Sequence, residues 1–173
     1  ATNQSILELS QEAVSLLAWS VEQLGDNFAI AGFNSNTREK VMYYHIKGYS
    51  EHWDDTVKAR LANLKAEYST RMGAAIRHGT HYLNLQKSDK KLMLILTDGE
   101  PSDIDVNDSE MLIKDTHKAV QECQQKGMYP YCISLDNKAD EYISDVFGSH
   151  YSVIDRIESL PKELPQLFLS LTK

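Results

Sequence analysis

The chain has 173 residues, the size of one folded domain rather than two. Hydrophobic residues at 42% and charged residues at 25% are ordinary globular usage, which excludes disordered, collagenous and coiled-coil chains. Eighteen Lys and Arg against 25 Asp and Glu leave a formal charge of −7, a field that repels nucleic acid and anionic membrane surfaces alike.

In chain order, Ile6, Leu9, Ala13, Leu17, Val21 and Leu24 step by three or four and predict a long helix closed by Gly25. The apolar run Phe28 to Phe33 predicts a strand, with Asn34-Ser35-Asn36 as turn chemistry after it, and Val41 to Lys47 predicts another strand. Trp53, Val57, Leu61, Leu64 and Tyr68 return to helical spacing behind Asp54 and Asp55, which suit a positive first turn. Thr70 can cap a helix that starts at Arg71 and runs towards Leu85. Leu92 to Thr97 is apolar on both faces, as expected of a central strand in a sheet covered on both sides.

The alternation continues with a helix through Ile113, Val120 and Cys123 closed by Gly127, and a strand from Tyr129 to Leu135. A short helix from Lys138 to Phe147 and a strand from Tyr151 to Ile154 follow. A last helix carries Pro161 in its first turn and is expected to bury Leu164, Leu167, Phe168 and Leu171. Strands separated by helices define an α/β fold: a doubly wound, mostly parallel sheet flanked by helices, spanning residues 1–173 as a single domain. The longest apolar run, Leu92 to Leu96, is far short of the roughly 20 residues of a membrane span. No basic leader followed by an apolar stretch opens the chain, and two cysteines are too few for a disulfide scaffold, so a reduced, cytoplasmic protein is expected.

Ligands of such sheets sit beyond the carboxyl ends of the strands, which directs attention to Thr97-Asp98-Gly99-Glu100-Pro101-Ser102-Asp103-Ile104-Asp105. Its crowded carboxylates suit a hard divalent cation such as Mg²⁺, and equally suit an acidic surface loop with helix-capping residues. Thr70 likewise reads as a helix cap when taken alone. His78 and His81, at i and i+3, could serve zinc but lack a third ligand at suitable spacing, so an exposed helix face is the plainer reading. Cys123 and Cys132 read as buried small hydrophobes, and Trp19 and Trp53 as packing residues. No phosphate-cradling glycine loop and no Gly-x-Ser-x-Gly elbow is present, which removes the usual nucleotide and hydrolase signatures.

A Thr ahead of a small-residue helix, followed by a strand ending in Leu-Thr-Asp-Gly, resembles the von Willebrand factor A domain with its metal-ion-dependent adhesion site. That resemblance implies Mg²⁺, or another divalent cation, held by Thr70, Asp98 and an Asp-x-Ser-x-Ser loop. The family places that loop, with a central strand, just ahead of residue 1, so a preceding strand is expected. The strings Phe28 to Ser35, Trp53-Asp54-Asp55, Thr70 to His78, Leu96 to Asp103, Asp115 to Val120 and Tyr142 to Phe147 are similar to the C-terminal domain of NorD and CbbO proteins. This implies a non-catalytic adaptor working with a hexameric AAA+ ATPase of the MoxR type. The target would be inhibited rubisco, favoured on overall likeness, or nitric oxide reductase, met through a Mg²⁺-bound partner carboxylate. Arg71, Glu100 and Ser102 are the candidate partner contacts. The rival class is a Mg²⁺-dependent phosphoryl-transfer or hydrolase domain using Asp98, Asp103 and Asp105.

Overall fold

The computed structural model describes residues 3–37, 40–64, 72–97, 109–135 and 140–172. The elements are α1 (Asn3–Leu24), β1 (Ile30–Thr37), β2 (Lys40–Lys47), α2 (Asp55–Ala62), α3 (Met72–Asn84), β3 (Leu92–Thr97) and α4 (Ser109–Gln125). They continue as β4 (Tyr129–Ser134), α5 (Asp140–Phe147), β5 (Tyr151–Val153), a 3₁₀ turn over Ile157–Ser159, and α6 (Leu160–Leu171). Internal contacts gather them into two compact units.

The first unit comprises Ala1–Gly32, Tyr43–Glu67 and Arg156–Lys173. Here α1 lies along α6 and also meets α2. The helical stripe of α1 buries Ala13, Ala18 and Val21, and Gly25 ends the helix at φ +80°, a left-handed conformation that glycine adopts without strain. In α6, Pro161 sits in the first turn, where its missing N–H costs nothing. Leu160 and Leu164 are buried, whereas Leu167, Phe168 and Leu171 are only half-buried. Trp53 packs with Val14, Ile30 and Leu64 against the buried trio Ile46, Val57 and Leu61. Trp19 departs from its expected packing role and is 58% exposed, because it falls off the buried stripe of α1.

Two boundaries differ from expectation. Asp54 caps α2 by accepting a hydrogen bond from the Val57 N–H at 3.0 Å, yet the helix stops at Ala62 instead of running on to Tyr68. The Gln11 side chain of α1 donates to the carbonyls of Leu61 at 2.9 Å and Leu64 at 3.1 Å, so a tertiary partner satisfies the groups a longer helix would have used. Tyr68 lies outside the described residues. Strand β1 continues through Asn34-Ser35-Asn36 to Thr37, where turn chemistry was expected, since pairing with β2 outweighs the weak strand preference of Asn and Ser.

Lys47 at the end of β2 is 2% exposed. Its ammonium donates to the Phe28 carbonyl at 2.7 Å and the Gly48 carbonyl at 3.1 Å, and lies 3.9 Å from the centre of the Phe28 ring. Burial pulls its pKa below the ordinary lysine value, against the opposing pull of the Glu22 and Glu51 carboxylates.

The second unit comprises Phe33–Met42 and Tyr68–Asp155. Its sheet has the order β3-β4-β5 and is parallel throughout. The register sets Leu92 opposite Tyr129 and Thr97 opposite Ser134, and Ser134 in turn opposite Val153. Among the described strands β4 has a neighbour on each side, and β3 pairs with β4 along one side. Burial follows that order: Pro130 to Ser134 are all buried, whereas β3 buries only Ile95 and Thr97. Helix α4 packs on α3, α5 and β4 around Val120, Cys123, Ile133, Ile143 and Val146. It closes at Gly127, φ +84°, whose N–H bonds the Gln124 carbonyl at 2.9 Å.

Candidate functional site

Three parallel strands present their carboxyl ends together at Thr97, Ser134 and Val153. Alignment there is tight: the Leu135 N–H bonds the Thr97 carbonyl at 2.8 Å and the Ile154 N–H bonds the Ser134 carbonyl at 2.9 Å. At these strand ends Thr97 is 7% exposed and Ser134 fully buried. Asp98 follows Thr97 directly in the chain, and Thr70 precedes the first residue of α3, Met72, by two positions. Thr70, Arg71, Asp98, Glu100, Ser102, Asp103 and Asp105 themselves lie outside the described residues. As a donor set, a threonine hydroxyl with carboxylates offers only hard oxygens, the chemistry that fits Mg²⁺ and disfavours softer ions.

Helix α3, which begins two residues after Thr70 in the chain, is tied to α4 by charge. Arg77 places Nη2 3.0 Å from Asp115 Oδ1 of α4 and Nε 3.3 Å from Glu122 Oε2, and donates to the Asp115 backbone carbonyl at 3.3 Å. Asp115 holds the guanidinium pKa above its ordinary value. A Cβ at Gly73 would press on Asp115 Oδ2 and stand 3.3 Å from its Cγ. Sequence reasoning singled out the Arg77 and Asp115 stretches without joining them. The available signal was Gly73 itself, a glycine inside a helix, which marks a close approach by another element.

The remaining candidates are placed plainly. His78 and His81 are exposed on α3, and their rings stand 5.1 and 5.2 Å from that of Tyr82. Among the described residues no group of three or more His, Cys, Asp or Glu is arranged to hold a metal ion. Cys123 and Cys132 are fully buried free thiols, as expected of small core hydrophobes, and burial pushes the Cys132 pKa up to about 12.

The chain matches the von Willebrand factor type A domain over residues 2–158, and it belongs to that family. Its doubly wound α/β fold is shared with solved structures of low sequence identity. One is an aerotolerance-related membrane protein from Bacteroides fragilis, with TM-score 0.64 and 15% identity over 95% of this chain and 88% of that one. Another is a von Willebrand factor type A protein from Catenulispora acidiphila, with TM-score 0.61 and 14% identity over 93% of this chain and 37% of that one. By sequence it is similar to Protein NorD of Brucella melitensis, 35% identical over 98% of this chain and 27% of that protein. It is also similar to Protein NorD of Stutzerimonas stutzeri, 35% identical over 86% of this chain and 24% of that protein. To the uncharacterized protein PA0525 of Pseudomonas aeruginosa it is 34% identical, over 97% of this chain and 28% of that one. The chain thus spans about a quarter of the length of these relatives. Among the described residues no helix is long and apolar enough to cross a membrane.

Proposed function

We propose that this chain is the protein-binding domain of a NorD-like adaptor, without catalytic activity of its own, acting with a MoxR-type AAA+ hexamer on a target enzyme. The observation that carries this reading is the 35% identity with proteins named NorD over 98% of the chain. Those names favour nitric oxide reductase as the target over the rubisco expected from overall likeness. Thr70 and Asp98 would hold Mg²⁺ or another divalent cation with a further loop. When bound, that ion supplies an electrophilic position for a partner carboxylate. Asp98 would contribute the negative ligand at the carboxyl end of β3, and Thr70 a neutral hydroxyl ahead of α3. Arg71, Glu100 and Ser102 would flank the contact and set its charge pattern, Arg71 attracting an acidic partner segment.

Co-purification tests it: the full-length protein is captured with nitric oxide reductase, rubisco or the ATPase, with Mg²⁺, with chelator, and as Asp98→Ala. Loss of target capture on chelation and in Asp98→Ala is the expected outcome. Target binding by Asp98→Ala as strong as wild type would sink the metal bridge. Turnover of a phosphate ester by the same preparation, dependent on Mg²⁺ and on Asp98, would favour the phosphoryl-transfer alternative.

A further inference from the structure

We infer that Asp115 is a positioning residue, fixing the point at which the chain enters α3, two residues after Thr70. The clamp has three parts. Gly73 is the notch: in the first turn of α3, hydrogen in place of a side chain lets the Asp115 carboxylate and backbone sit directly on the helix, the Asp115 carbonyl carbon 3.4 Å from where a Cβ would stand. Arg77 is the strap, four residues on and so on the same helix face. It grips Oδ1 of Asp115 at 3.0 Å and the Asp115 carbonyl at 3.3 Å, while Glu122 holds its other side at 3.3 Å. Asp115 is the pin, with Oδ1 taken by Arg77 and Oδ2 turned to Gly73.

Electrostatics favour the same seat. The first turn of a helix exposes unpaired backbone N–H groups and partial positive charge, which a carboxylate stabilises. A planar guanidinium, with Nη2 on Asp115 and Nε on Glu122, fixes its two partners in one geometry that a single ammonium could not copy. Backbone as well as side chain is therefore held, and any drift of the α3 start along α4 would break all three contacts together. Asp115 touches no proposed ligand site itself; it acts through α3. Its relevance to the metal rests on the function proposed above, whereas the clamp does not.

The test uses the full-length protein, Mn²⁺ as the probe ion, and two readouts: Mn²⁺ affinity, and hydrogen exchange of the amides of residues 76–80, the first with carbonyl partners inside α3. The variants are Asp115→Asn, which keeps shape and removes charge, Arg77→Lys, which keeps charge and removes the fork, and Asp98→Ala as the metal control. Asp115→Asn is expected to raise exchange at residues 76–80 at least tenfold and to weaken Mn²⁺ binding about tenfold, with Arg77→Lys between it and wild type. Unchanged exchange in both variants overturns the clamp. Raised exchange with unchanged Mn²⁺ affinity overturns the positioning role and leaves a structural contact only. If wild type binds no Mn²⁺, or Asp98→Ala binds it as well as wild type, the metal reading fails, and the clamp is decided by hydrogen exchange alone.

Discussion

Replacing Lys47 by Met removes a buried ammonium while nearly conserving volume, so its effect can be worked from the contacts. Two hydrogen bonds from a charged donor contribute about 1.5–3 kcal/mol each, and the Phe28 ring about 0.5–2 kcal/mol more. Against them stands the cost of taking an ammonium out of water, several kcal/mol in real proteins. The depressed pKa of Lys47 says which side is heavier: the charged form is less favourable here than in water. The gain and the cost thus largely cancel, and what remains is the acceptor left behind. The Gly48 carbonyl keeps its bond from the Glu51 N–H at 3.2 Å, but among the described contacts the Phe28 carbonyl has no donor other than Lys47. An orphaned carbonyl costs about 1–3 kcal/mol, and that is the destabilisation expected of Lys47→Met near neutral pH.

The pH dependence has a definite sign. Above the depressed native pKa and below the unfolded value of 10.5, the unfolded chain binds the proton that the folded chain has lost, so wild type gains stability as pH rises. Met has nothing to titrate, and the difference between the two proteins should widen in that alkaline window. Urea unfolding followed by circular dichroism, from pH 7 to 10, measures it. A variant as stable as wild type at pH 7, or a difference that narrows as pH rises, would refute the reasoning.

Further outcomes follow from single contacts. Asp54→Ala should destabilise by about 1 kcal/mol, read by urea unfolding, because the Val57 N–H loses its cap acceptor. Leu160→Ala, at a fully buried site at the head of α6, should cost about 2–5 kcal/mol and lower the thermal midpoint accordingly. Cys132, with its thiol held near pKa 12 and no exposed surface, should resist iodoacetamide at pH 8 until the protein is unfolded, which mass spectrometry resolves. Gly73→Ala should destabilise by about 1–3 kcal/mol by denaturant titration, although alanine is the better helix former by about 1 kcal/mol, since the carboxylate of Asp115 and its backbone occupy the space.

Elements set by local chemistry were legible in the sequence, and those set by a distant partner were not. Gly25 and Gly127 end their helices as their spacing implies, and Asp54 and Asp55 stand at the start of α2, where the positive first turn was expected to draw them. The end of α2 depends on Gln11, some 50 residues away, and the length of β1 depends on its pairing with β2. The apolar runs of β3 and β4 were legible as strands, but the register that sets Leu92 opposite Tyr129 and Cys132 opposite Tyr151 was not, because apolarity does not say which strands pair. Thr70 and Asp98 stand out in the sequence only as a pair matching a family pattern, and both lie outside the described residues. The Arg77–Asp115–Gly73 clamp joins positions 38 or more residues apart, with no periodicity to announce it.

The pairing of α1 with α6 sets an order on synthesis. These helices lie side by side in the first unit, yet some 135 residues separate the end of one from the start of the other, and all of β3, α4 and β4 lie between. At about 5–20 residues per second, a ribosome leaves α1 without its partner for on the order of ten seconds. The second unit, whose segment from Tyr68 to Asp155 is continuous, can emerge and close before α6 exists. During that interval the face of α1 that meets α6 is uncovered, a target for chaperones and for misassembly. Substitutions that weaken α6 should therefore reduce the yield of folded protein in the cell more than they lower the stability of molecules that have already folded.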